Sequence, residues 1–167
     1  MRSKENEFPN LLLLPEPLAF EFFWKFAAFE CALKRAKFRT VSNDTVTANW
    51  DKFGSDYEAV ALQTPSFRRA MEALVQLNPL CQTVNEEDEL DWRPVRRGND
   101  NEVQFALRLL RTIRNNLFHG GKYARRPMKE VARDERLLSA GIDVLHECYR
   151  LDKQIQSHIQ DIVQLAA

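Results

Sequence analysis

The chain is poor in cysteine. Its 167 residues include three cysteines, Cys31, Cys81 and Cys148, and no two of them form a Cys-x-x-Cys pair. An odd number of widely spaced cysteines does not provide the disulfide framework that small secreted domains need. The pattern predicts ordinary reduced thiols and a cytoplasmic protein.

Long hydrophobic runs are also missing. The leucines at 11–14 form an apolar run of only four residues, which Pro15-Glu16-Pro17 ends. A signal peptide needs about 7 to 15 apolar residues and a membrane-spanning helix about 20. We therefore expect no membrane association. Residues 1–17 are predicted to form an extended N-terminal arm whose leucines pack on the domain or on a partner, and residues 18–167 to form a single domain.

Neither sign of charge is in excess, because 24 Lys and Arg residues balance 24 Asp and Glu residues. Any affinity for nucleic acid must then come from a local patch. Residues 93–136 contain such a patch, with twelve basic and five acidic residues, and no acidic residue lies between Val103 and Lys129. Arginine binds phosphate bidentately, so a patch of this kind suits the binding of phosphates. The alternative is that the arginines form a solvated helix face or pair with the acidic residues at 86–91.

Proline and glycine are scarce, and the long proline-free stretches carry helical patterns of apolar residues. These patterns predict four principal helices at about 18–38, 65–78, 100–119 and 134–165, with a short helix near Trp50 and Phe53. We expect an all-α fold, a four-to-five-helix up-and-down bundle with more than two thirds of its residues helical.

Apolar stripes identify the expected core. The first helix carries Phe22, Phe26, Phe29 and Leu33, flanked by Phe20, Phe23, Trp24, Ala27 and Cys31. The third carries Val103, Ala106, Leu110, Ile113 and Leu117. The fourth carries Leu138, Ile142, Leu145, Tyr149, Ile155, Ile159 and Ile162, with Gly141 permitting a close crossing or a bend. Such broad stripes are typical of helices that pack against several neighbours.

No strand is predicted. Residues 41–47 alternate briefly between apolar and polar side chains, but Asn43-Asp44 interrupts the pattern. Residues 80–98 are expected to form a long connector, and connectors of this length are usually functional or disordered.

Polar side chains of the 100–119 helix fall on one face away from its apolar stripe. At about 100° per residue, this face holds Gln104, Arg108, Arg111, Asn115 and His119. Arg114 lies between the two faces, at the edge of the core, where a partly desolvated guanidinium needs an anionic or carbonyl partner. Such a departure from the amphipathic pattern favours a functional site.

The most informative string is Arg-Asn-Asn-Leu-Phe-His-Gly-Gly-Lys at 114–122. It resembles the signature of the HEPN superfamily, compact helical domains found in prokaryotic defence and toxin systems. That signature is R-x4-6-H in a late helix, with a polar residue directly after the arginine, and Arg114, Asn115 and His119 match it. The string is similar to the form seen in stand-alone bacterial and plasmid-borne HEPN proteins, and the expected order of helices agrees over about residues 18–165.

The resemblance implies a metal-independent endoribonuclease that acts as a homodimer, with two motifs facing one cleft and no cofactor. It also implies a toxin or defence effector, with a cognate antitoxin protein as a possible partner. Other members of the superfamily have lost activity and bind RNA or partner proteins. The resemblance does not choose between these functions.

The residue types suit metal-independent cleavage of RNA. His119 can exchange a proton near neutral pH, and Arg114 can stabilise charge on the phosphate. Asn115, one turn before His119, can orient the imidazole or the phosphate. Arg114 and His119 lie about 140° apart around one helix, so two-fold pairing of chains would bring them together. We predict that Arg108, Arg111, Lys122, Arg125 and Arg126 bind RNA.

Two other interpretations remain open. His119 is well placed to cap a helix C-terminus, with Arg114 as a structural ion-pair donor. The last helix and the apolar arm could also form a dimerisation scaffold. The sequence contains no pattern typical of a zinc site, a phosphate-binding loop or a serine nucleophile.

Overall fold

The computed structural model of the protein describes residues 16–118 and 131–165. Helices account for 69% of it. Over these residues there are seven helices: α1 (Glu16–Arg35), α2 (Trp50–Asp56), α3 (Glu58–Gln63), α4 (Pro65–Leu77), α5 (Glu102–Phe118), α6 (Val131–Leu151) and α7 (Lys153–Leu165). Four short strands form two antiparallel hairpins: β1 (Arg39–Ser42) with β2 (Thr45–Ala48), and β3 (Leu80–Val84) with β4 (Leu90–Pro94). The mostly helical expectation is confirmed, whereas the expectation of a purely helical fold without strands is wrong.

The first hairpin contains the briefly alternating residues 41–47, for which the sequence predicts no strand. Asn43 and Asp44 both have positive φ, 47° and 60°, and pair Ser42 with Thr45 across a two-residue turn. Two consecutive residues with positive φ are the hallmark of the tight turn that matches the twist of a hairpin, and asparagine and aspartate tolerate that conformation. Asn43-Asp44 is therefore the turn of the hairpin and not the end of its pattern.

The second hairpin replaces the expected 80–98 connector. The side chain of Asn85 organises its tip, because its Oδ1 accepts hydrogen bonds from the backbone N–H groups of Glu87 and Glu89, at 3.0 and 2.9 Å. Asp88 completes the turn with a φ of 61°. The acidic residues at 86–89 thus lie on the exposed tip of a defined turn.

Helices α1, α5 and α6 supply much of the core, and their predicted apolar stripes are buried in it. Phe22, Phe26, Phe29 and Leu33 of α1 are all buried, as are Val103, Ala106, Leu110 and Ile113 of α5 and Leu138, Ile142 and Leu145 of α6. Trp50 of α2 stacks on Phe26 and Phe29, with ring centroids 5.0 and 5.3 Å apart, and its indole N–H donates to Glu30. Trp50 of α2 therefore covers Phe26 and Phe29 on this side of α1.

Gly141 allows α1 and α6 to approach closely, as the sequence suggested. A Cβ atom at this position would lie 2.7 Å from Cε2 of Phe22 and 3.3 Å from Cδ1 of Leu110. Any larger residue at 141 would therefore force the buried ring of Phe22 to move where α6 crosses α1.

The expected single helix at 134–165 is two helices, α6 and α7, separated by Asp152. Its buried carboxylate accepts hydrogen bonds from the backbone N–H groups of Gln154 and Ile155 and caps the start of α7. The hydroxyl of Tyr57 donates to the same carboxylate. Burial, together with this hydrogen bond, raises the pKa of Tyr57 to about 12. The break lets α7 fold back along α1.

Candidate functional site at the end of helix α5

Arg114 and Asn115 lie in the last turn of α5. Nη1 of Arg114 donates a hydrogen bond to Oδ1 of Asn115 at 3.1 Å, so the guanidinium and the carboxamide are directly joined. The guanidinium carbon lies 6.0 Å from the ring centroid of Phe26 on α1, at the limit of cation–π attraction. Arg114 is half-buried and Asn115 is exposed. These contacts agree with the expected position of Arg114 at the edge of the core.

Asn116, which the motif does not single out, fixes this turn in place. It is only 9% exposed, and its Nδ2 donates to the backbone carbonyl of Leu80 at 2.8 Å. The bond ties the end of α5 to the first residue of β3. Asparagine is a poor helix former, and its presence in the last turn of a strongly helical segment was the one sequence signal for this role.

The start of α6 lies beside the end of α5. Asn116 and Leu117 line a cavity of about 10 Å³ together with Asp134, Leu137 and Pro79. The guanidinium of Arg133 donates to the carbonyls of Leu77 and Asn78, at 2.9 and 3.1 Å, and so holds α6 against the end of α4. The end of α4, the start of β3 and the start of α6 are therefore all held near Asn116 and Leu117, in the last turn of α5.

Four predicted site residues fall outside the described part of the chain. They are His119, Lys122, Arg125 and Arg126. Their predicted roles, proton transfer for the histidine and RNA binding for the other three, remain predictions.

Arg108 binds to its own chain. Its Nη2 lies 3.0 Å from Oδ2 of Asp100 and also donates to the carbonyls of Arg96 and Arg97. The guanidinium carbon lies 5.6 Å from the ring centroid of Phe105. Arg108 thus folds the turn that precedes α5 back onto the helix.

Arg111 has a comparable role between helices. Its Nη2 lies 2.9 Å from Oδ1 of Asp51 on α2, while Nε2 of Gln104 donates to the backbone carbonyl of Asp51. Gln104 and Arg111 therefore share one face of α5, as the helical wheel predicts, and that face packs on α2. Arg108 is thus paired with Asp100 before α5, Arg111 is paired with Asp51 of α2, and the guanidinium of Arg114 lies beside Phe26 of α1.

Within residues 16–118 and 131–165, no group of three or more His, Cys, Asp or Glu side chains is arranged to hold a metal ion. None of the described helices is long and apolar enough to cross a membrane.

Comparisons with protein-family models, with curated proteins and with solved structures found no match to this chain. The resemblance to HEPN domains therefore depends on the motif residues and on the helical content around them.

Proposed function

We propose that the protein is a metal-independent endoribonuclease of the HEPN type, which cleaves RNA as a homodimer and acts as a toxin or defence effector. The observation that carries the proposal is the direct hydrogen bond between Arg114 and Asn115 in the last turn of α5. It joins a phosphate-binding cation to a neutral hydrogen-bonding group, just before the only histidine of the motif. The rigid attachment of this turn through Asn116 supports the proposal, because catalytic groups need fixed positions.

In the proposed reaction, His119 takes the proton of a ribose 2′-hydroxyl, and the 2′-oxygen attacks the neighbouring phosphorus. The bond from phosphorus to the 5′-oxygen breaks, water protonates that oxygen, and the imidazolium of His119 returns its proton to the solvent. Arg114 stabilises the additional negative charge on the non-bridging oxygens. Asn115 orients the imidazole or the phosphate. The products carry a 2′,3′-cyclic phosphate and a 5′-hydroxyl.

A second chain completes the proposed site. Arg114 and His119 are five positions apart, which separates them around a single helix by about 140°. Pairing two copies about a two-fold axis brings the histidine of one copy towards the arginine of the other and creates the site twice. Lys122, Arg125 and Arg126 would then extend the binding surface along the RNA.

The decisive experiment incubates the purified full chain in EDTA with single-stranded and structured RNA. We expect cleavage that leaves cyclic phosphate ends and that a 2′-deoxyribose at the cut position abolishes. His119→Ala should remove cleavage while RNA affinity is retained, because a neutral base adds little to ground-state binding. His158→Ala, which removes a histidine on α7, serves as the matched control and should cleave normally.

Two results would contradict the nuclease. If His119→Ala cleaves as well as the original protein, the histidine has no catalytic role. If neither protein cleaves but both bind RNA, and Arg114→Ala loses that binding, the chain is a non-catalytic RNA-binding module. A strict monomer in light scattering at tens of micromolar would contradict the shared site.

A further inference from the structure

A groove with apolar walls runs between α1, α6 and α7. It encloses about 660 Å³, and α1 contributes Trp24, Ala28 and Phe29 to it. The opposite walls are Leu145 and Tyr149 of α6 and Ile159, Ile162 and Val163 of α7. Trp24 is 55% exposed, Val163 is 63% exposed, and Phe20, one turn before Trp24, is 61% exposed. Contiguous large apolar side chains of this kind usually mark a surface that something covers.

The polar groups at the groove already have partners within the chain. Nζ of Lys25 lies 2.6 Å from Nε2 of His146 and 3.2 Å from a carboxylate oxygen of Glu21. A ligand with an acidic head group would have to compete with these contacts. The groove therefore favours an occupant that offers apolar side chains alone.

We propose that the leucines at 11–14 of this same chain occupy the Trp24 end of the groove. The four leucines end two positions before Glu16, the first residue of α1. Their side chains are apolar, like the side chains that form most of the groove. Pro15 and Pro17 stand on either side of Glu16, and the first of them favours an extended conformation at Leu14.

The lengths agree with this arrangement. Along α1, at about 1.5 Å per residue, Trp24 lies about 12 Å and Ala28 about 18 Å from Glu16. Leu11 precedes Glu16 by five residues, and an extended chain of that length reaches about 17 Å. A segment that turns back at the two prolines thus covers Phe20 first and then reaches Trp24. Alternate leucines would face α1, because successive side chains of an extended chain point to opposite sides.

A second copy of the protein suits the groove less well. A two-fold interface must be complementary to itself, and one concave surface does not fill another. The leucine segment is tethered to the start of α1, which contributes one wall of the groove, and this gives it a high effective concentration there. The inference is independent of the proposed nuclease.

Quenching of tryptophan fluorescence by acrylamide tests the inference in the full chain. Subtracting the signal of the same protein with Trp24→Phe isolates Trp24 from Trp50 and Trp92. We expect Trp24 to be protected in the original protein. Replacing all four leucines at 11–14 by serine should raise its quenching constant severalfold. Val41→Ser, at an exposed position on β1, is the control and should leave the constant unchanged.

A variant of the opposite wall gives a second and reciprocal test. Val163→Asp changes an exposed side chain, so the core should still form, and it should also raise the quenching constant of Trp24. A variant with both Val163→Asp and the four serines should have a quenching constant for Trp24 close to that of either variant alone, because both changes remove the same contact.

Three results would overturn the inference. In the first, Trp24 is quenched equally in the original protein and in the four-serine variant. In the second, protection is lost on dilution together with a fall in mass by light scattering, which would identify a second copy as the occupant. In the third, Trp24 stays protected from acrylamide in the four-serine variant, and extraction with organic solvent removes both this protection and a small apolar molecule that mass spectrometry detects. That molecule would then be the occupant of the groove.

Discussion

The two parts of helix α5 use the same residue type differently. In the first part, Arg108 and Arg111 are bound to carboxylates of their own chain, Asp100 and Asp51, and hold a turn and a neighbouring helix in place. In the last turn, Arg114 donates to the exposed carboxamide of Asn115 and lies beside an aromatic ring. Counting positive charges along a sequence treats these arginines alike. Arg108 and Arg111 hold parts of the fold together, whereas Arg114 is joined to Asn115, beside which we propose that it binds phosphate.

The largest expected effect concerns the arginines themselves. Under the proposed function, Arg114→Ala should lower the cleavage rate by about 10²-fold or more, the effect typical of losing one group that stabilises transition-state charge. Arg114→Lys should recover only part of the rate, because lysine lacks the bidentate geometry. The measurement is single-turnover cleavage of one labelled RNA.

Arg111→Ala is the matched comparison for this series. It removes the same side chain one helical turn earlier. The sequence predicts RNA binding for Arg111, but its ion pair with Asp51 leads us to expect a cleavage rate close to that of the original protein. A loss equal to that of Arg114→Ala would show that both parts of α5 meet the RNA.

The second prediction concerns Asn116, which anchors the last turn. Asn116→Ala leaves the carbonyl of Leu80 without its side-chain donor, and the free energy of unfolding should fall by about 1 to 3 kcal/mol. Urea unfolding followed by circular dichroism measures this change. Asn115→Ala, at the exposed neighbouring position, should change stability by less than about 0.5 kcal/mol. Equal losses of stability in the two variants would contradict the interpretation that Asn116 anchors the last turn and Asn115 does not.

The third prediction separates Arg108 from Arg111. Arg108 binds two backbone carbonyls in addition to Asp100, so Arg108→Ala should lower the free energy of unfolding by about 1 kcal/mol. Arg111→Ala breaks one exposed ion pair and should cost less than about 0.5 kcal/mol. Urea unfolding of the two variants under identical conditions is the measurement. The interpretation fails if Arg108→Ala weakens RNA binding and leaves stability unchanged.

The smallest expected effect is a pH dependence of stability that does not involve α5. Desolvation, with the nearby Lys25, lowers the pKa of His146 below its ordinary value of 6.5. The unfolded chain therefore takes up a proton first as the pH falls. Stability should be greatest above about pH 6.5 and decrease as the pH falls from there towards the folded pKa. Unfolding curves over this range should show a smaller decrease for His146→Gln, while the pH profile of cleavage, assigned to His119, should not move.

Much of the helical framework could be predicted because apolar side chains recur at helical spacing between prolines. The buried residues of α1, α5 and α6 follow those patterns closely. The two hairpins were missed because short strands with exposed residues give a weak alternating signal, and because Asn43-Asp44 can end a strand or turn it. The break at Asp152 was missed because the apolar period continues across it.

The sequence by itself determined where the principal helices lie, which of their faces are buried, and the motif of Arg114, Asn115 and His119. These properties depend on spacing along the chain, and periodicity records spacing directly. Only the tertiary structure decided that Asp51 and Asp100 neutralise two arginines of α5 and that Asn116 binds the carbonyl of Leu80. Arg111 and Asp51 are 60 positions apart, and Asn116 and Leu80 are 36 apart. The packing of whole elements sets such contacts, and no local pattern encodes them.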